Sequence, residues 1–581
     1  MNFFRPFQQG CSCIVNNKKA ESNDDNKKSR KSKKSRKSKK SRNRSKGAPI
    51  SNLELYFEGV LKLNPSLGSY LGRREFDAYY ENVLSSEYKK GMKNLLSKYK
   101  NVPIKTLDDK ILRYVINQGT NSSKVKNIGL LPTLYSFSNV IMEFTSSNKQ
   151  FYPLETSRDF KNLVRRHRQY MEFMESSIKH MNRGITREVV LSKFICKRMI
   201  TRLDKFYNDK NYVIEKVPEK YGYIFKEYGR TLKKVIDFIK TKYLKKCIKG
   251  HGLKYLPNGR NMYKFFVEQK TTTNKSPNEI HQIGLKEVSR IKSELELLKT
   301  KMGYGNLTLL EFYDKMRNNP NNYYTTSERI IEAYKSIRDL IEKTVIPENF
   351  KSTVAPFEIR PVPKEQEDGS PGAFYNPGNS SGRAGVFSVN TANSNEIPNG
   401  NPRFNMVALT LHEGNPGHHY QFQYALDQGI PEYRTYVSDG TAYSEGWGLY
   451  AESLGGALYD LNTEDGRFNY YGRLNYEMFR ALRLVVDTGI HYYGWSHKKA
   501  LNYMLKYSSL GKSELDTEVE RYICWPGQAL AYKIGQMFIS DLKTEYMKKT
   551  GAGADIKRFH EKVLENGVLP LELLGEQFTS V

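Results

Sequence analysis

Cysteine is scarce in this 581-residue chain: five residues (Cys11, Cys13, Cys196, Cys247 and Cys524), odd in number and scattered. That excludes a disulfide framework and fits a reducing compartment. The pair Cys11 and Cys13 is read as neither a lipidation site nor a metal site. Also missing is any run of about 18 apolar residues, so no membrane span is expected. The start, Met-Asn-Phe-Phe, lacks the charged opening and the apolar stretch of about 7–15 residues that mark a secretory signal. An intracellular protein is expected, not a secreted one. Acidic residues are outnumbered, 62 Asp/Glu against 93 Lys/Arg, for a net charge of +31. Hydrophobic residues make up 38%, below a globular norm of roughly 45–50% that also counts glycine.

Much of this imbalance sits at one end. Residues 1–47 hold 16 Lys/Arg and three acids (Glu21, Asp24, Asp25), which is +13 of the net charge. Within them, residues 27–46 read KKSRKSKKSRKSKKSRNRSK, a repeated hexad that then decays. Like charge and the near-absence of apolar side chains keep such a stretch from collapsing, so 1–47 is expected to be a disordered tail. It suits a nuclear address, a grip on nucleic acid, an anchor on an anionic surface, or a plain solubilising tail. Dense periodic charge holds polyanions non-specifically at low salt. A nucleus or a virion is then a destination the tail would add to the cytoplasm. The rest of the chain, at +18, keeps ample Tyr, Phe, Leu and Ile for a core. Heavy use of Lys, Asn and Tyr follows from AT-rich coding, so general basicity is a weak pointer to nucleic acid.

From about residue 48 the pattern is helical. Residues 155–245 place apolar side chains three and four apart among Lys and Arg, which predicts amphipathic helices with a solvated basic face. Ser276-Pro277-Asn278-Glu279 predicts a helix start: a capping Ser, a Pro with no amide hydrogen to satisfy, and a Glu that reaches back to the cap. That helix should run to about Lys301, and another should span about 326–345. Residues 350–403 are rich in Pro, Gly, Asn and Ser, with β-like pieces at 357–360 and 385–390, so a small sheet with long loops is expected. After 405 helices resume. The fold class is mostly α with a small β-sheet.

The chemistry lies in His412-Glu413-Gly-Asn-Pro-Gly-His418-His419. In the common zinc signature two histidines four apart share a helical face, and the Glu between them polarises water. Here the interval from His412 to His418 is six, about 240° on an unbroken helix. Pro416 cannot donate an amide and crowds the carbonyl four residues back, while Gly417 tolerates unusual backbone angles. Together they predict a break that swings His418 beside His412. His419, nearly two full turns from His412, is the alternative ligand. The later segment SEGWGLYAESLG supplies Glu445 as third ligand, with Glu452 two turns on, placed to orient a ligand histidine from behind. Two His and one Glu leave a position open for water, the pattern of a catalytic Zn2+, one per chain. Glu413 is then the general base. A peptide is the expected substrate.

The strings HEGNPGHHYQ, SEGWGLYAESLG, RLVVDTGIHYYGWS, EVERYICWPGQALAYKIG and FHEKVLENGVLPLELL resemble the domain-of-unknown-function 885 family of predicted metallopeptidases. Weaker matches (SLGSYLGRREFD, GLKYLPNGRNMY, SPNEIHQIGLKEVSRI, NPGNSSGRAGVFSVNT) extend the resemblance over about 50–581. That family is similar to the gluzincin peptidases, which implies a two-lobed helical molecule with zinc deep in a channel and a small sheet near the active site. The implied layout is a helical N-terminal lobe over 48–349 and a catalytic zinc-binding region over 350–581. The resemblance raises Tyr532 and His491 to catalytic candidates that stabilise the oxyanion, with Tyr522 beside them. By the same analogy the strand ending at Asn390 pairs with substrate backbone. Arg383, Arg480 and Arg521 become candidates for gripping a peptide carboxylate.

The expected function is an intracellular zinc peptidase of oligopeptidase or carboxypeptidase type. One competing reading is a nucleic-acid or virion-associated protein on a retained peptidase scaffold, against which an intact Glu413 speaks. Another is a zinc hydrolase of a non-peptide amide or ester.

Overall fold

The computed structural model describes residues 50–131, 141, 142, 144, 145, 147, 148, 152–367, 372–380, 382–392, 394, 398 and 400–579. The expected tail, 1–47, lies outside them.

Helix starts follow from side chains able to cap. In α1 (Asn52–Leu63) the Ser51 hydroxyl accepts from the Glu54 amide. In α2 (Leu107–Lys124) Thr106 and Asp109 form a reciprocal capping box. The same device opens α3 (Ser157–Thr186) with Thr156 and Asp159. Next come α4 (Lys193–Asn208) and α5 (Tyr223–Phe238). The Ser276–Glu279 capping box starts α6 (Pro277–Lys301) as the sequence predicts, and Thr326 caps α7 (Ser327–Asn349). Each cap satisfies amides that the first helical turn leaves without partners.

The small sheet follows. Its strands are β1 (Glu358–Pro361), β2 (Ala373–Asn376) and β3 (Val386–Val389), in the order β1-β3-β2. β1 runs parallel to β3 with Ile359 opposite Phe387, and β2 runs antiparallel to it with Tyr375 opposite the same residue. Two strands match the expected pieces; β2 is additional. Because β3 is paired on both sides, the expectation that it takes substrate backbone fails: it has no open edge. The edges belong to β1 and β2.

The remaining helices include α8 (Arg403–Glu413), α9 (His418–Asp427), α10 (Thr441–Ala451), α11 (Glu464–Thr488), α12 (Lys512–Cys524) and α13 (Ala531–Thr550). The cores run across the sequence. Leu53 and Phe57 of α1 and Ile111 of α2 share a cluster with Trp447 of α10 and Ile539 of α13. Val288 and Ile291 of α6 pack with Leu474 and Leu482 of α11. The sheet, through Ile359, Tyr375 and Phe387, lies on Met406 and Leu409 of α8. Phe404 through Glu413 are all buried, so α8 is an interior helix clasped on every side. Among the described residues no helix is long and apolar enough to cross a membrane.

Candidate metal centre

α8 stops at Glu413 and α9 starts at His418, so the predicted break is a four-residue turn between two helices. Gly417 is required there: a Cβ on it would lie 1.9 Å from the His412 carbonyl oxygen. Trp447 of α10 donates its indole N–H to the Pro416 carbonyl at 2.9 Å and pins the turn. The turn brings His418 back beside His412, with ring centroids 4.8 Å apart and planes nearly perpendicular at 85°.

α10 supplies the carboxylate. Glu445 Oε2 lies 3.6 Å from His412 Nε2 and 3.4 Å from His418 Nε2. A second glycine makes this possible, since a Cβ on Gly448 would stand 2.8 Å from the His412 ring. The imidazole therefore lies against bare α10 backbone. On another side of α10 a Cβ on Gly446 would come within 2.5 Å of Gly535, which lets α13 support the helix closely from behind.

His412, His418 and Glu445 are the group of side chains, among the described residues, whose ligand atoms converge as a metal site requires. Two ligands each about 2.1 Å from a tetrahedral ion lie roughly 3.4 Å apart, close to the separations seen. His412 Nε2 and Glu445 Oε2 are buried without a hydrogen-bond partner, an arrangement that is costly unless something between them completes it. Behind His412, Glu452 Oε1 lies 2.8 Å from Nδ1 and turns Nε2 towards Glu445. Arg480 Nη2 stands 3.5 Å from the same carboxylate oxygen. It is the Lys or Arg, among the described residues, that ion-pairs with Glu413, Glu445 or Glu452. The buried carboxylates of Glu413 and Glu452, the half-buried one of Glu445 and a single guanidinium leave a negative excess suited to a divalent cation.

The same charges govern protons. Burial pushes the His412 imidazole down, but Glu445 and Glu452 outweigh it and raise it to about 10. Burial pushes Glu445 up, and the two imidazoles overcome that and hold it well below the usual carboxylate range. Glu413 differs. Burial raises its carboxyl group despite both histidines. Its Oε2 accepts the Tyr375 amide of β2 at 3.0 Å, and its Oε1 is buried without a partner.

Other predicted residues sit elsewhere. His419, the alternative ligand, has both ring nitrogens engaged: Nδ1 with the Tyr375 hydroxyl at 2.9 Å and Nε2 with the Ala355 carbonyl at 2.8 Å. It ties β2 to the segment leading into β1. His491 is corrected as a catalytic group: Nδ1 accepts the Leu253 amide at 3.1 Å and Nε2 lies 2.8 Å from the Tyr522 carbonyl. Both nitrogens serve the backbone, so none is left for substrate. The Tyr522 hydroxyl donates to Glu518 at 2.8 Å and accepts from Arg483 at 3.1 Å, inside the core. Arg480 belongs to the Glu452 support, not to a carboxylate grip. Arg521 pairs with Glu518 and donates to Gln528 and to Tyr532. Arg383 donates to the Pro377 carbonyl and lies over the Tyr70 ring. Asn390 donates its side-chain amide to the Glu367 carbonyl.

The sequence reading missed Tyr375, whose amide positions Glu413, and Arg483, buried on α11 with Nη2 3.2 Å from Glu518. It also missed the purpose of Gly448. Its signal was present in Gly-Trp-Gly, two small residues two apart on a helix next to a ligand.

The family described as "Bacterial protein of unknown function (DUF885)" matches over residues 66–578. Two solved structures described as putative lipoproteins share the fold. One, from Colwellia psychrerythraea, has a TM-score of 0.79 and 23% identity, covering 91% of this chain and 98% of that one. The other, of unknown function, from Shewanella oneidensis, has a TM-score of 0.66 and 15% identity, covering 90% and 98%. A carboxypeptidase from Pyrococcus furiosus has a TM-score of only 0.40 and 11% identity, covering 91% and 98%, a level that says nothing of function. No curated protein matches.

Proposed function

The chain belongs to the DUF885 family, and on that footing we propose that it is a zinc-dependent peptidase with its catalytic region in 350–581. The observation that carries this reading is the convergence of His412, His418 and Glu445 next to a buried Glu413. Two His and one Glu are the donor set of a catalytic rather than a structural zinc. When bound there, zinc supplies Lewis acidity, polarising a substrate carbonyl and lowering the pKa of a water.

The protein's own residues do the rest. Glu413 Oε1, buried and without another partner, takes a proton from the attacking water and returns it to the leaving amine. The Tyr375 amide holds Oε2, so Glu413 keeps one orientation through the cycle. That bond brings the Tyr375 amide of β2 to Glu413 and supports a role for the edge of β2. Substrate backbone is assigned to this outer edge, with unfolded peptides as the substrate class. Tyr532, which accepts hydrogen bonds from Arg521 and Gln528, is assigned the oxyanion on the resemblance of its string to the family.

The cell interior is assigned as the location. Two structural relatives are described as putative lipoproteins, and fractionation of cells expressing the chain decides between the two sites. Cleavage of a mixed peptide library, followed by mass spectrometry with and without a chelator, tests the activity. Cleavage that a chelator abolishes and added zinc restores is the expected result. Cleavage indifferent to the chelator would remove the metal from the mechanism.

A further inference from the structure

The positive charge of the folded part is concentrated. Residues 157–249 carry 25 Lys/Arg against 10 Asp/Glu, a net of +15, whereas everything after residue 47 carries +18. The other segments are close to neutral, so a chain-wide bias towards lysine does not explain the excess.

The structure puts this segment on one surface. α3, α4 and α5 share a core in which Tyr170, Phe173 and Met174 meet Met199, Leu203 and Leu232. With their apolar stripes buried together, the opposite faces are solvated. On α3 the exposed residues Arg158, Lys161, Arg165, Arg168, Lys179 and Arg183 recur three or four apart, except where Glu172 and Glu175 take the place. Side chains at that spacing form one stripe along a helix. At about 1.5 Å per residue the stripe from Arg158 to Arg183 runs roughly 38 Å along α3. On α5 Lys226 and Arg230 are exposed in the same manner, and four exposed lysines follow between 242 and 249. The helices adjoin: Lys234 reaches to 3.9 Å from Glu175 of α3, and Lys240 lies 2.7 Å from Asp204 of α4.

We propose that this face binds the phosphate backbone of nucleic acid, independently of base sequence and of the peptidase site. A long row of point charges, about one per helical turn, complements a linear polyanion and supplies the electrostatic, sequence-independent part of nucleic-acid binding. The alternative polyanion, an anionic bilayer, is usually engaged by basic helices that also present exposed apolar side chains. Among the described residues of 157–249 the large hydrophobic side chain standing well out of the surface is Tyr223 alone. The face offers charge with almost nothing to insert.

Lysine acetylation of the full chain, read by mass spectrometry with and without a duplex of roughly 30 base pairs, tests the proposal. The duplex should protect Lys161, Lys179, Lys226 and Lys242 at low salt, and raised salt should abolish the protection. Replacing Arg165, Arg168, Arg183 and Arg230 by Gln together should reduce the salt slope of duplex binding by about 0.9 for each phosphate no longer neutralised. Peptide cleavage should be unchanged in that variant. Protection confined to lysines of residues 27–46, or an unaltered slope in the variant, overturns the proposal. So does protection by phosphatidylserine vesicles at the same salt where the duplex gives none.

Discussion

His412 Nδ1 lies 2.8 Å from Glu452 Oε1, and both side chains are almost wholly removed from solvent. A carboxylate in that position accepts the Nδ1 proton, fixes the tautomer, and leaves Nε2 to face Glu445. Forty residues of chain, including a helix-breaking turn, are arranged so that one imidazole is held from behind while it presents a nitrogen in front.

Removing that support should loosen the site without dismantling it. Glu452→Ala should weaken zinc affinity about 10–100-fold, measured by competition with a coloured chelator. An unchanged affinity would mean that Glu452 serves only Arg480.

Gly448→Ala places a methyl group where the His412 ring lies, since the Cβ would be 2.8 Å from it. The ring must shift. Zinc content should fall sharply, while the overpacking cost to the fold should stay within about 1–3 kcal/mol. Metal analysis alongside a thermal melt separates the two effects.

His491→Ala should damage stability rather than chemistry. Two backbone groups, the Leu253 amide and the Tyr522 carbonyl, would lose their partners in the interior, at about 1–3 kcal/mol each. Denaturant titration should show the loss, while kcat of the folded fraction stays near the parent value. A large fall in kcat at unchanged stability would restore the catalytic assignment.

Stability should decline in mild acid. Burial lowers His167 to about 3 and His180, His491 and His560 to about 4. The unfolded chain takes up these protons near pH 6.5, whereas the folded chain resists. Their contribution is therefore complete above about 6.5 and is lost as pH falls towards the folded values, at up to about 1.4 kcal/mol per pH unit for each histidine. Asp487 opposes them: burial raises it to about 7, so its contribution is present below about 4 and is lost as pH rises through 7. His412, raised to about 10, opposes them too, its contribution being lost as pH rises above about 6.5. With His419 also lowered to about 4, five lowered histidines outweigh these two groups. Urea midpoints should be lower at pH 5.5 than at pH 7.5, and the reverse order would show that these imidazoles are charged when folded.

Local signals carried much of the fold. The α6 start is legible because Ser276, Pro277 and Glu279 act within one turn. The break between His412 and His418 is legible because Pro416 and Gly417 act on their own neighbours. What escaped depends on distant chain. β2 is four residues between a glycine and a proline, too short for alternation to show. The central position of β3 depends on β1 and β2 closing on both its edges, which its own residues do not announce. His491 lies in a family-like string, but its nitrogens are taken by Leu253 and Tyr522, and no spacing near 491 points to either. Glu413 and Tyr375 lie 38 residues apart and meet only because the sheet packs on α8.

The most direct measurement is peptide cleavage by the Glu413→Gln protein after its zinc content has been determined. Gln keeps an oxygen for the Tyr375 amide but cannot take a proton. One zinc per chain should remain bound, and cleavage should fall by about 10²–10⁴-fold, the usual share of a general base. Hydrolysis at the parent rate with zinc in place would contradict the role given to Glu413 and the reaction built around it.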